Sequence, residues 1–130
     1  MNIEWDDKFC IGHERIDHEH RVFLDLIRNA HQASERSEPL ERVDRLLTEV
    51  RKYADFHFFS EENLMLDCGF PEYEAHRLEH RRLLASLDDK LHRHRSGVLG
   101  LGELVEFLFN WFALHTTGSD RRIAEYLRPP

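Results

Sequence analysis

Cysteine is scarce in this chain: Cys10 and Cys68 are the only two, far apart and in no CxxC pair. That excludes a disulfide-dense scaffold and a cysteine zinc site, and leaves two free thiols. Positive charge is also short. Eighteen Lys and Arg stand against 25 Asp and Glu, for a formal net charge of -7, so nothing draws the chain to nucleic acid or to an acidic membrane. Long apolar runs are missing too, none approaching the ~18 residues of a membrane span. The acidic N-terminus, Met1 to Asp7, has neither the basic nor the apolar part of a secretion signal. The expectation is a soluble, cytoplasmic protein with no nucleic-acid and no membrane partner. Its 130 residues suit one domain spanning 1–130, long enough to bury roughly two-thirds of its unfolded surface without disulfides. What the chain does have is ten histidines, and their placement needs a reason.

Apolar residues recur at three- and four-residue steps throughout, and no stretch alternates as a half-buried strand does. Residues 1–16, with Trp5, Phe9, Ile11 and Ile16 between charges and a turn at Gly12, read as an extended N-terminal arm packed on the rest. The spacing predicts a first helix from Asp17 to about Ser34, with His20, Phe23, Leu24, Ile27 and His31 on one face. A second starts at Pro39, after the cap candidates Ser37 and Glu38, and runs to about Met65 with Val43, Leu47, Val50, Ala54, His57 and Glu61 on its core stripe. A third opens past Pro71 and carries Tyr73, His76, His80, Leu83, Leu84, Leu87 and Leu91 before a loop at His94 to Gly97. A fourth takes up Leu104, Leu108, Trp111, Phe112 and His115 until Gly118 interrupts it, and Ser119 is the cap candidate of a short tail helix through Leu127. The fold class expected is all-α: an antiparallel up-down-up-down four-helix bundle with an N-terminal arm and a short C-terminal helix.

In such a bundle, the start of the first and third helices and the end of the second and fourth lie at one end. The polar intruders in the core stripes sit there: His20, His57 and Glu61, His76 and His80, His115, and Asp120 just beyond. The steps from His57 to Glu61 and from His76 to His80 are each four residues, about 40° apart around a helix, so each pair projects from one face. Burying these groups unpartnered would cost on the order of 1–3 kcal/mol each, and metal ions offset that cost. Five imidazoles and two carboxylates suit first-row ions of intermediate hardness, and two carboxylates among seven ligands fit a pair of six-coordinate ions sharing bridges. One tetrahedral zinc would leave three ligands over. The chain has no Glu-x-x-His, HExxH or GxxxxGK[ST], which removes the ferritin-like di-iron pattern, the zinc proteases and the P-loop.

These residues resemble the hemerythrin family in its bacterial single-domain form. The resemblance covers almost the whole chain: Trp5 with Gly12, Ile16-Asp17-x-x-His20, His57-Phe58-x-x-Glu61-Glu62-x-x-Met65, Phe70-Pro71 followed by His76-x-x-x-His80, and Trp111-x-x-x-His115 with Asp120. It implies a non-haem centre of two iron ions, oxo- or hydroxo-bridged. His76, His80 and His115 complete one iron, His20 and His57 hold the other, and Glu61 and Asp120 bridge them. The implied function is reversible O2 binding as a carrier, store or delivery protein, with O2 taken up as hydroperoxide at the open position of the second iron and no enzymatic turnover. The partners implied are O2 and an O2-consuming enzyme or a reductant. Alternatives on the same site are an enzyme consuming peroxide or nitric oxide, and a sensor. The sensor ranks lower, since no signalling module accompanies the bundle in this sequence.

The O2 pocket expected from the resemblance is lined by Trp111, Phe112 and Thr116. Family members commonly carry Leu and Ile where this chain has Phe112 and Thr116, so one wall is bulkier here and another is polar. The five-residue step from His115 to Asp120 is about 140° round an ideal helix, so the backbone there must depart from one if Asp120 is to join the site. His13, His18, His31, His92 and His94 receive no role, and Glu62, about 100° off the stripe, stands either behind the ligands or on the surface. Faces rich in Arg and Glu make a monomer the expected state.

Overall fold

The computed structural model describes residues 3–127. Four long helices form the body: α1 (Glu14–Glu35), α2 (Leu40–Cys68), α3 (Tyr73–Arg95) and α4 (Leu101–His115). A π-helical segment, Thr116–Asp120, follows without a break and leads into the short α5 (Arg121–Leu127). The long helices pack as neighbours in a ring, α1 on α2, α2 on α3, α3 on α4 and α4 on α1, which is the up-down-up-down bundle that short connections favour. No strand occurs among the described residues. No helix among them is long and apolar enough to cross a membrane.

The core follows the helical spacing. Phe23, Leu24, Ile27 and Ala30 of α1 meet Leu47, Val50, Ala54 and Phe58 of α2 and Leu104, Val105, Leu108 and Phe112 of α4, all buried. The face of α3 is thinner, with Leu87 and Leu91 buried and Leu83 and Leu84 half-buried. Two smaller clusters, Ile11 with Ile16 and Ala124, and Met65 with Phe70 and Ile123, close the end of the bundle where the histidines gather.

The helix ends depart from expectation in ways that place the site. The first helix begins at Glu14 rather than Asp17, because the ring Nδ1 of His13 accepts from the Ile16 N–H (3.3 Å) and caps it. Asp17 instead accepts from the backbone N–H groups of Ile11 (2.7 Å) and Gly12 (3.2 Å), holding the turn in which Gly12 takes a φ of 90°. The arm is therefore not extended throughout: Asp7–Phe9 forms a 3-10 turn. Phe9 and Ile11 are buried, and Arg121 donates to the carbonyls of Lys8 (2.8 Å) and Cys10 (3.3 Å). Ser37 and Glu38 do not cap α2, whose first turn has no side-chain cap. Ser37 takes a left-handed φ of 53° past the end of α1. The second helix reaches Cys68 and stops at Gly69, whose φ of 68° and N–H bond back to Leu66 form a left-handed C-cap.

Candidate metal centre

Each long helix delivers its polar residues to one end of the bundle. His20 comes from α1, His57 and Glu61 from α2, His76 and His80 from α3, and His115 from the last residue of α4. Asp120 arrives on the π-helical segment. An i to i+5 turn is wider than an α-helical one, and it brings the fifth residue after His115 back toward the same face: His115 Nε2 lies 3.0 Å from Asp120 Oδ1. The backbone departure that the five-residue step demands is thus present. All seven side chains are buried, at 5 % exposure or less.

Their donor atoms form two overlapping groups, each with all atoms within 4.8 Å of one another: Glu61, His76, His80, His115 and Asp120 in one, and His20, His57, Glu61 and Asp120 in the other. The two carboxylates are common to both. Glu61 approaches His76 Nε2 very closely and His80 Nε2 at 3.1 Å through Oε1, and His57 Nε2 at 3.3 Å through Oε2. Asp120 meets His20 Nε2 at 3.0 Å and His76 Nε2 at 3.3 Å.

The outer ring nitrogens show which way the imidazoles face. His20 Nδ1 donates to the Phe9 carbonyl (3.2 Å), His57 Nδ1 to Glu19 (2.8 Å), His80 Nδ1 to Glu62 (2.9 Å) and His115 Nδ1 to Glu79 (2.8 Å). An N–H spent outward leaves the Nε2 lone pair pointing inward, the tautomer a metal ligand needs. Inside the cluster, hydrogen bonding alone does not satisfy these atoms. His80 Nε2 and His115 Nε2 face each other at 3.2 Å, and His20 Nε2, Glu61 Oε2 and both Asp120 oxygens are buried without a hydrogen-bond partner. Each such atom costs about 1–3 kcal/mol. Cations satisfy inward lone pairs and carboxylates together, so the donor set fits metal ions.

With protons in place of metal, burial pushes His57 and His76 down, but the carboxylates around them outweigh it. Glu19 and Glu61 raise His57 to about 9, and Asp120 and Glu61 raise His76 to about 9. His115 is raised well above its usual value, chiefly by Asp120 against its own burial. Burial opposes ionisation of Glu61 too, yet His115, His57, His76 and His80 hold it well below the usual carboxylate range. The centre concentrates negative charge for a cationic occupant.

A narrow cavity lies against this cluster. Its wall includes His20, His57, His115 and Asp120 from the cluster, closed by Phe23, Trp111, Phe112 and Thr116. The cavity is small, about the least space that holds one water. Phe112 stacks on Phe23 (centroids 5.8 Å apart) and sits edge-on to His20 (5.7 Å). Trp111 stacks on His115 (4.9 Å, 18°). Thr116, 1 % exposed, brings a hydroxyl-bearing side chain to this wall.

Sequence reasoning missed the carboxylates behind the rings. Glu19 and Glu79 each precede a candidate ligand, while Glu62 takes the first of its two expected places, behind a ligand, at His80. Ser119 does not cap the tail helix; its Oγ donates to both oxygens of Glu79 (2.9 and 2.8 Å). The one available signal was a serine three or four residues after a histidine, Ser60 after His57 and Ser119 after His115. The unassigned histidines stay apart from the cluster: His18 and His92 are exposed, His31 pairs with Glu35, and His94 Nδ1 donates to the Leu99 carbonyl (3.0 Å).

Comparison with known proteins gives a consistent result. Residues 11–127 match the family model described as the hemerythrin HHE cation binding domain. A bacteriohemerythrin of Stenotrophomonas maltophilia is 29 % identical over 126 residues, covering 97 % of this chain and 82 % of its own. One from Clostridium acetobutylicum is 23 % identical over 124 residues, covering 90 % and 95 %. A hemerythrin-like protein of Naegleria gruberi is 27 % identical over 121 residues, covering 92 % and 89 %. A crystal structure of a hemerythrin point mutant superposes with a TM-score of 0.86 over 95 % of each chain, at 21 % identity.

Proposed function

The chain belongs to the hemerythrin family of non-haem iron proteins, and from that premise we propose that it binds O2 reversibly at a pair of iron ions, as a carrier, store or delivery protein without turnover. In this reading His76, His80 and His115 hold one ion, His20 and His57 hold the other, and Glu61 and Asp120 bridge them. The observation that carries it is an asymmetry. One group offers three imidazoles and the other two around the same pair of carboxylates, and the cavity is bounded by both imidazoles of the poorer group, His20 and His57, but by His115 alone of the richer one. A position one ligand short, facing a small and largely apolar pocket, suits a diatomic gas.

Iron there would supply redox-active coordination chemistry that no side chain has. The chain's own residues do the rest. The Phe9 carbonyl, Glu19, Glu62 and Glu79 fix the ring planes of His20, His57, His80 and His115. The π-helical segment turns Asp120 inward. Phe23, Trp111 and Phe112 line the cavity with aromatic surface, and an apolar wall of this kind strengthens electrostatic interactions beside it. Thr116 contributes a hydroxyl at the wall, a hydrogen-bonding group where an aliphatic residue would contribute none.

Elemental analysis joined to anaerobic reduction and an O2 titration followed by visible absorption tests this reading. Two irons per chain and a spectrum that reverses when O2 is removed are expected. Immediate irreversible oxidation would shift the function to peroxide or nitric-oxide chemistry; no iron, or a single zinc, would refute the seven-ligand assignment.

A further inference from the structure

We propose that Glu19 and Glu79 are positioning residues that lower the reduction potential of the two metal positions, Glu19 by the larger amount. This deepens the reading above and rests on it. One device is built twice. Glu19 of α1 accepts from His57 Nδ1 and from Ser60 Oγ, both at 2.8 Å. Glu79 of α3 accepts from His115 Nδ1 at 2.8 Å and from Ser119 Oγ at 2.9 and 2.8 Å. In each case a carboxylate from a neighbouring helix grips a histidine together with a serine one turn further on. His57 belongs to the two-imidazole group and His115 to the three-imidazole group, so each metal position has one such grip. Glu62 meets His80 Nδ1 at 2.9 Å with no serine to anchor it, and His20 meets only a backbone carbonyl.

The chemical consequence follows from charge. An imidazole that shares its outer proton with a carboxylate is a more basic ligand and donates more electron density to a bound ion. The carboxylate's negative charge, just beyond the ring, also stabilises the more positive oxidation state of that ion. Both effects favour the oxidised centre over the reduced one, which lowers the potential. Solvent decides their relative size: the Glu19 side chain is 6 % exposed and the Glu79 side chain 40 %, so water screens Glu79 more. Through Ser119, Glu79 also braces the segment that carries Asp120.

The test compares wild type, Glu19→Gln and Glu79→Gln as iron-loaded full-length proteins, by elemental analysis and by anaerobic reductive titration with redox mediators. Glutamine keeps the shape and removes the charge, so a role in shape alone would leave the potential unmoved. The expected result is two irons in all three proteins and a higher midpoint potential in both variants, more so in Glu19→Gln. Unchanged or lower potentials, or a larger rise in Glu79→Gln, overturn the proposal. If a glutamine variant fails to fold or load, the corresponding Asp variant, which keeps the charge but retracts it by one methylene, is titrated instead; a smaller rise supports the proposal and no rise overturns it. Wild type that holds no pair of irons removes the functional reading itself, before any variant is compared.

Discussion

Removing the metal turns the centre into a set of buried ion pairs, and the metal-free protein should then lose stability as the pH rises from about 6.5 to 9. The reason lies in three histidines, of which His115 is raised well above its usual value. His57 stands at about 9 in the folded protein and His76 also at about 9, against 6.5 for the free side chain, in both cases because carboxylates outweigh burial. A folded-state value above the unfolded one means that folding takes up protons. The stability this confers is complete below 6.5 and is lost as the pH climbs through about 9. The interval corresponds to ~3 kcal/mol for one histidine. His57 and His76 both lean on Glu61 and Asp120, so together they contribute on the order of 3–5 kcal/mol rather than twice the single value. On the acid side the sign reverses. Glu79, held at about 2 chiefly by its hydrogen bond with His115, contributes above 4.5, and that contribution is lost as the pH falls through about 2. The metal-free protein should therefore be most stable between about pH 5 and 6.5. Urea unfolding of metal-free and metal-loaded protein at intervals of about one pH unit from 6.5 to 9.5 reads this directly. The metal-free midpoint should drop across the series while the loaded one, whose ligands have given up their protons, holds or rises. A metal-free midpoint that stays flat or rises would refute the reasoning.

Two further substitutions probe the pocket and the scaffold. Thr116→Ile removes the hydroxyl from a wall residue that is 1 % exposed and should slow autoxidation of the iron-loaded protein by about two- to tenfold, or ~0.4–1.4 kcal/mol of barrier; stopped-flow or slow-scan absorption gives the rate, and equal rates would remove Thr116 from the pocket argument. Gly69→Ala places a Cβ where φ is 68° and no neighbouring atom lies within 4 Å, so the cost is conformational only, ~1 kcal/mol, and calorimetry should show a melting temperature lower by a few degrees with an unchanged metal content.

Much of the site was legible because its signals are local. A four-residue step puts His57 with Glu61, and His76 with His80, on one face of any helix, and both pairs are buried as their stripes require. Short loops bring the ends of four helices together. The first helix was placed three residues late, because histidine is not a usual N-cap and His13 serves as one here. Asp120 was legible only as a conflict: the motif asked for it, ideal helix geometry turned it away, and the π-helical segment resolves the two.

By itself, then, the sequence determined the bundle, the end at which polar groups meet and the inward set of five imidazoles and Glu61, since periodicity and chain reversal settle all three; the inward turn of Asp120 needed the π-helical segment. Tertiary structure decided what stands behind the ligands and which of the five imidazoles the cavity borders. Glu62 and Glu79 lie off the core stripes in a chain with 25 acidic residues, so nothing in their spacing separates them from solvated ones, and Glu19, three residues after Ile16 and four before Phe23, sits at the edge of its stripe with no spacing that names its partner. What selects them is a distance of 2.8 or 2.9 Å between neighbouring helices, and that distance exists only once the helices have packed.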